Sequence, residues 1–167
     1  MGIWSAALKD HAINRRKLEV LIEDNGKQWS YGLHVDGSNF TFEQIQKIKP
    51  KHLRVTTISI SNFWKVTPSN LSTICEILKY VSPFLDSAIL YLHPSEAIDA
   101  DLDCILGRLK NASIYHISLC EKRNFYERFL RSQLESVYFK WFSGFNHLSD
   151  EFAIELQESL RLRRSLG

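Results

Sequence analysis

The stretch Leu53-Arg-Val-Thr-Thr-Ile-Ser-Ile60, LRVTTISI, decides the fold. Three later segments repeat its apolar offsets: LDSAILYL from Leu85, ASIYHISL from Ala112 and LESVYFKW from Leu134. With the first residue counted as zero, position zero holds Leu53, Leu85, Ala112 and Leu134. Position three holds Thr56, Ala88, Tyr115 and Val137. Position five holds Ile58, Leu90, Ile117 and Phe139, and position seven holds Ile60, Leu92, Leu119 and Trp141. Alternation with period two at the end of each segment predicts half-buried β-strands, because successive side chains point to opposite faces. The shared leading residue makes the four segments copies of one unit.

Helical patterns fill the intervals. Thr67-Pro68 reads as a cap with proline in the first turn, leading into Leu71, Ile74, Leu78 and Val81. Ile98, Leu102, Ile105, Leu106 and Leu109 make a second apolar stripe, and Phe125, Phe129 and Leu130 a third. Ser149 or Asp150 opens a last helix with Phe152, Leu156 and Leu160 on one side. Strands alternating with helices predict a parallel sheet with right-handed crossovers.

Two layouts satisfy that pattern. A doubly wound domain covers both sheet faces, and its strands read as continuous apolar runs. A solenoid of leucine-rich-repeat type covers one face only. The second strand face decides between them. It carries Thr57, Ser59 and Ser61, then Ile89, Tyr91 and His93, then His116, Ser118 and Cys120, and finally Tyr138, Lys140 and Phe142. That set is polar and aromatic rather than aliphatic, so the one-sided layer is expected.

Upstream, Trp4 to Arg16 has a helical pattern with Trp4, Leu8 and Ala12 on one face. Lys17 to Ile22 and Trp29 to Val35 read as a hairpin turning at Asn25-Gly26, the favoured pair for a tight turn. Thr41 can cap a short helix, Phe42 to Lys49, that stops at Pro50. The predicted fold is α/β. Residues 1–50 hold a helix, a β-hairpin and a short helix. Residues 51–167 hold about four irregular βα units, with helices on one side of a mostly parallel sheet, in one continuous domain.

The composition is that of a globular domain, 44% hydrophobic and 24% charged. A net charge of +2 gives no bulk electrostatic reason to expect nucleic acid or a membrane surface. The start lacks the apolar run of a signal peptide, and no segment has the ~20 apolar residues of a membrane span. Gly2 is followed by Ala6 where a myristoylation motif needs Ser or Thr. Cys75, Cys104 and Cys120 are odd in number and form no CxxC pair, so neither a zinc ribbon nor a disulfide framework is expected. An intracellular location, cytoplasmic or nuclear, follows as the expectation.

Chemistry-bearing residues are few. Asp99-Ala-Asp-Leu-Asp103 resembles a calcium loop, but Cys104 and Lys110 occupy the positions that need Gly and Glu. The acids fit a helix's first turn instead. His34 and Asp36 alternate with Leu33 and Val35 and read as one solvated face. His93 and Cys120 share repeat position eight on neighbouring strands, with His116 nearby. They are the alternative reading, a small enzyme site with Cys120 as nucleophile, but no third catalytic group accompanies them. Phosphate loops, dinucleotide fingerprints, zincin motifs and serine elbows are all missing, and no cofactor or metal is expected. Arg15-Arg16-Lys17 and Arg161-Leu-Arg-Arg164 fit cations at helix ends.

Several landmarks occur in order: Trp4-Ser-Ala-Ala-Leu-Lys-Asp-His-Ala-Ile-Asn-Arg15, Trp29-Ser-Tyr31, Pro50-Lys-His-Leu-Arg54, Tyr80-Val-Ser-Pro-Phe84 and Phe125-Tyr-Glu-Arg-Phe-Leu-Arg-Ser-Gln-Leu134. Together they resemble a lineage-expanded nematode family of proteins related to F-box proteins. The resemblance spans most of the chain. It implies a leucine-rich-repeat-like βα region and assigns no functional residue. Family members have further helical residues before the tryptophan matching Trp4, so the resemblance implies that the adaptor-docking F-box helices are missing here. A decayed paralogue without activity is a further alternative. The leading expectation is a non-enzymatic protein-interaction module. Its partner would lie on the uncovered strand face, on Tyr91, His93, His116, Tyr138, Lys140 and Phe142.

Overall fold

A computed structural model describes residues 15–24, 28–61, 66–93 and 97–165. The predicted N-terminal helix and the Asn25-Gly26 turn lie outside these residues. Strand β1 (Arg16–Asp24) pairs antiparallel with β2 (Trp29–Val35), from Leu18 opposite Val35 to Asp24 opposite Trp29. A second hairpin joins β2 to β3 (Ser38–Phe40). Its two-residue turn is Asp36-Gly37, with φ of 51° and 81°. Such turns need positive φ at both centres, which Asp tolerates and Gly adopts freely. Asp36 therefore leaves the strand that carries His34, and its carboxylate accepts from the Lys17 N–H and Arg16 Nε, each at 3.0 Å.

Helix α1 (Phe42–Gln46) opens on a capping box. The Thr41 hydroxyl accepts from the Gln44 N–H, and the Gln44 side chain accepts from the Thr41 N–H. Strand β4 (Leu53–Ile60) follows, then the three-residue β5 (Thr67–Ser69) and helix α2 (Leu71–Val81). Here the expectation fails. Thr67-Pro68 belongs to a short strand on the outer edge of β2, and Asn70 is the cap, its side chain accepting from the Thr73 N–H at 2.9 Å. Proline fits an edge strand, where its missing N–H costs no ladder bond.

The remaining units are β6 (Leu85–Leu92) with α3 (Asp99–Gly107), β7 (Ile114–Leu119) with α4 (Asn124–Gln133), and β8 (Trp141–Ser143) with α5 (Asp150–Ser165). Strand order is β3-β2-β1-β4-β6-β7-β8, with β5 beside β3 on the edge of β2. From β1 to β8 every pairing is parallel. The α/β class is as expected.

The repeat also explains the bulges. Positions zero and five cannot share a face in a regular strand, because they differ by an odd number. Yet Leu53 and Ile58 are both buried, as are Leu85 and Leu90. An extra residue must enter between them. The register shifts at Thr56 in β4, between Leu85 and Ile89 in β6, where Ser87 takes φ of 55°, and at Tyr115 in β7.

On the core face Val20, Ile58, Leu90, Ile117 and Phe142 meet Ile74 and Leu78 of α2, Leu102 and Ile105 of α3, Tyr126, Phe129 and Leu130 of α4, and Phe152 and Leu156 of α5 in one cluster. Ile98, expected on the inner stripe, is exposed just before α3. In α4 the fully buried ring is Tyr126, and Phe125 is only partly covered. No described helix is long and apolar enough to cross a membrane.

Candidate functional site

The opposite strand face is built from three rows that cross the parallel ladders. The first runs Trp141, His116, Ile89, Thr57 and Glu19; the second runs Ser143, Ser118, Tyr91, Ser59 and Leu21. In the third, Cys120, His93 and Ser61 continue the strands, donating N–H bonds to Leu92, Ile60 and Ile22 carbonyls at 3.3, 2.8 and 3.0 Å. Adjacent members of a row are about 5 Å apart, the spacing of hydrogen-bonded strands. Ser59, at the middle of this face, is 8% exposed, and Thr57, Ile89, Tyr91 and Ser118 are half-buried.

Of the six expected binding residues, three come together here. Tyr91 and His93 meet edge to face, with ring centroids 6.1 Å apart. The Nε2 of His93 is buried and has no hydrogen-bond partner among the described residues. His116 Nε2 pairs with the Ser143 hydroxyl at 2.9 Å, and burial lowers the pKa of its ring. All three rings are half-buried rather than freely exposed.

The other three were assigned from a strand at residues 134–141, and the structure corrects them. Helix α4 runs to Gln133, and residues from Leu134 to Lys140 form turns. The strand starts only at Trp141. Phe142 is therefore in the core, 7% exposed, against Phe145 at 4.8 Å between ring centroids. It cannot touch a partner on the strand face. Trp141, expected in the core, is 45% exposed. Lys140 turns to the end of α5, where its Nζ donates to the Arg163 carbonyl at 2.9 Å. Tyr138 is exposed, but not on the strand face. It lines a groove of about 330 Å³ at the sheet's N-terminal rim with Leu53, Pro83, Asp86 and Ser87.

Phe139 keeps its expected burial, so the fourth repeat preserves position five and loses position seven. The chain must still bring an aromatic ring onto the core after Phe139, and Phe142 supplies it from the next inward position. Gly144 then turns the chain with φ of 108°, and a Cβ there would stand 2.6 Å from the Leu119 carbonyl oxygen.

These shifts gather an aromatic edge that the repeat pattern did not reveal. Three aromatic side chains are exposed among the described residues: Tyr115 at 38%, Tyr138 at 54% and Trp141 at 45%. Tyr115 and Trp141 stand on the neighbouring strands β7 and β8, while Tyr138 stands at the N-terminal rim, in the groove beside Leu53 and Asp86. Trp141 Nε1 donates to the Tyr115 hydroxyl at 2.5 Å, and the Arg164 guanidinium lies 4.6 Å from the centroid of the Trp141 ring. The Arg163 guanidinium donates to the Ser136 carbonyl. Two residues of the C-terminal basic cluster thus hold the turn before β8 and the first residue of that strand. A signal for Tyr115 existed in the sequence: it fills the bulge position with an aromatic ring where Thr56 and Ala88 stand in earlier copies.

The thiol of Cys120 is pushed up by burial and then by Glu121. It is protonated at neutral pH, the opposite of an activated nucleophile. Of the acidic triplet, Asp99 and Asp101 stand in the first turn of α3 as expected, and Asp103 lies beyond it. Asp99 binds Arg123 at 2.7 Å, Asp101 accepts from Trp29 Nε1 at 3.0 Å, and Asp103 pairs with Arg128 at 2.7 Å. No group of three or more potential metal ligands occurs among the described residues.

No family model, curated protein or solved structure matches the chain.

Proposed function

We propose that this chain is a non-enzymatic protein-interaction module whose partner docks on the β7–β8 edge and reaches the half-buried strand face beside it. One observation carries the reading: the exposed rings of Tyr115 and Trp141 are bonded to each other at that edge, and the third exposed aromatic, Tyr138, stands on the adjoining N-terminal rim. Trp, Tyr and Arg supply most of the binding energy in protein interfaces, because they offer large apolar area with a polar handle. Trp141 is also fixed by its bond to Tyr115 and by Arg164, so little rotamer entropy is lost when a partner covers it. Tyr91, His93 and His116 extend the surface along rigid strands. The resemblance to F-box-related proteins supports assigning this surface to substrate selection for ubiquitylation.

The test is affinity capture with quantitative mass spectrometry, comparing the unaltered chain with Trp141→Ala/Tyr138→Ala. A Glu158→Ala control alters an exposed position of α5. The expected result is a protein retained by the unaltered chain and the control, and lost from the double variant while its circular dichroism stays native. An identical set of captured proteins for all three overturns the proposal.

A further inference from the structure

Cys75 and Cys104 are 29 residues apart in sequence, and nothing in their spacing joins them. The fold does. Cys75 lies on α2 and Cys104 on α3, the helices of consecutive units, and their sulfurs are 3.7 Å apart. Both are free thiols; Cys75 is buried and Cys104 is exposed. A disulfide has a sulfur separation of about 2 Å, so closing the pair needs a movement within reach of side-chain rotation and a small helix shift.

We propose that Cys75 and Cys104 form a covalent modification site that reacts with a small disulfide of the glutathione type and closes to an intrachain disulfide between α2 and α3. The two thiols differ in the way such a site requires. Cys104 is open to solvent and meets the small disulfide first. Cys75 is shielded, so its thiol survives to resolve the intermediate. Burial and then the neighbouring Cys104 raise the pKa of Cys75, while Arg108, one turn after Cys104, acts in the opposite sense.

The chemistry balances in two exchanges. The Cys104 thiolate attacks one sulfur of oxidised glutathione, forming a Cys104–glutathione mixed disulfide and releasing one glutathione thiolate, which takes up the proton. Cys75 then gives up its proton and attacks the Cys104 sulfur, and the second glutathione leaves as the thiol. Two protein thiols are oxidised and one glutathione disulfide is reduced to two glutathiones. Among the described residues Cys75 and Cys104 make the one sulfur–sulfur contact, so Cys120 serves as the internal comparison.

The experiment treats the reduced full chain with oxidised glutathione, blocks free thiols with N-ethylmaleimide and measures intact and tryptic masses. Trypsin separates the two cysteines, into Val66–Lys79 and Tyr80–Arg108. The expected product has lost two hydrogens, and those two peptides are joined by a disulfide. With Cys75→Ser, Cys104 should keep its glutathione; with Cys104→Ser, Cys75 should stay a thiol. The proposal is overturned if the unaltered chain keeps glutathione on Cys104, joins Cys104 to Cys120, or leaves Cys75 and Cys104 reduced while Cys120 reacts.

Discussion

Replacing Phe142 and Trp141 separately with glutamine measures which of them belongs to the core. In Phe142→Gln a ring that is 7% exposed and stacked edge to face on Phe145 is lost. Truncating a buried Phe typically costs about 3–5 kcal/mol. The new amide adds an unpaired polar group, worth about 1–3 kcal/mol. Because β8 is an edge strand, some collapse is possible, so a total near 5 kcal/mol is expected, a large share of the ~5–15 kcal/mol that holds a domain together. In Trp141→Gln the amide stays in water. The losses are the bond to Tyr115, about 1 kcal/mol, the contact with Arg164, about 0.5–1 kcal/mol, and part of the ring's half-burial. A loss of about 2 kcal/mol is expected. Urea denaturation followed by circular dichroism, with the slope unchanged, reads the difference from the midpoints. Equal losses, or a larger loss for Trp141→Gln, would refute the placement of β8.

Two further outcomes follow from the same region. Gly144→Ala should destabilise by about 3 kcal/mol, since its backbone is outside the range L-residues favour and the added Cβ meets the Leu119 carbonyl; thermal melting reads it. The pKa of His116 is lowered by burial, so the unfolded chain binds its proton more tightly than the folded one. That contribution to stability is fully present above the unfolded pKa near 6.5 and is lost as pH falls from there through the folded value. His116→Asn should remove that part of the stability–pH slope, measured by urea midpoints across the acid side of neutrality.

The fold was largely legible because its information is periodic. The repeat beginning at Leu53 encodes not only strands but also their bulges, since zero and five can both face inward only across an inserted residue. Caps at Thr41 and the hairpin from Lys17 to Val35 follow from local chemistry, and both are present. The last unit was misread because its strand is only three residues long. Leu134, Phe139 and Trp141 imitate the earlier offsets, and nothing local reveals that turns intervene and shift the inward position to Phe142. Asp36-Gly37 was also readable as a turn, but alternation with Leu33 and Val35 masks it as strand. Of the candidate surface, Tyr91, His93 and His116 were legible as strand positions. The edge formed by Tyr115 and Trp141, and the rim position of Tyr138, depend on where the chain enters β8 and on Arg163 and Arg164 returning from α5. That is tertiary information, as is the meeting of Cys75 with Cys104.

The central claim is that a protein partner docks on the aromatic edge and strand face. Site-specific photo-crosslinking tests it most directly, with a benzophenone amino acid placed at Tyr138 or Tyr91 and, on the opposite side, at Glu158. The account predicts one and the same protein crosslinked from Tyr138 and Tyr91, and not from Glu158. A partner crosslinked from Glu158 while both tyrosine positions stay silent would contradict it.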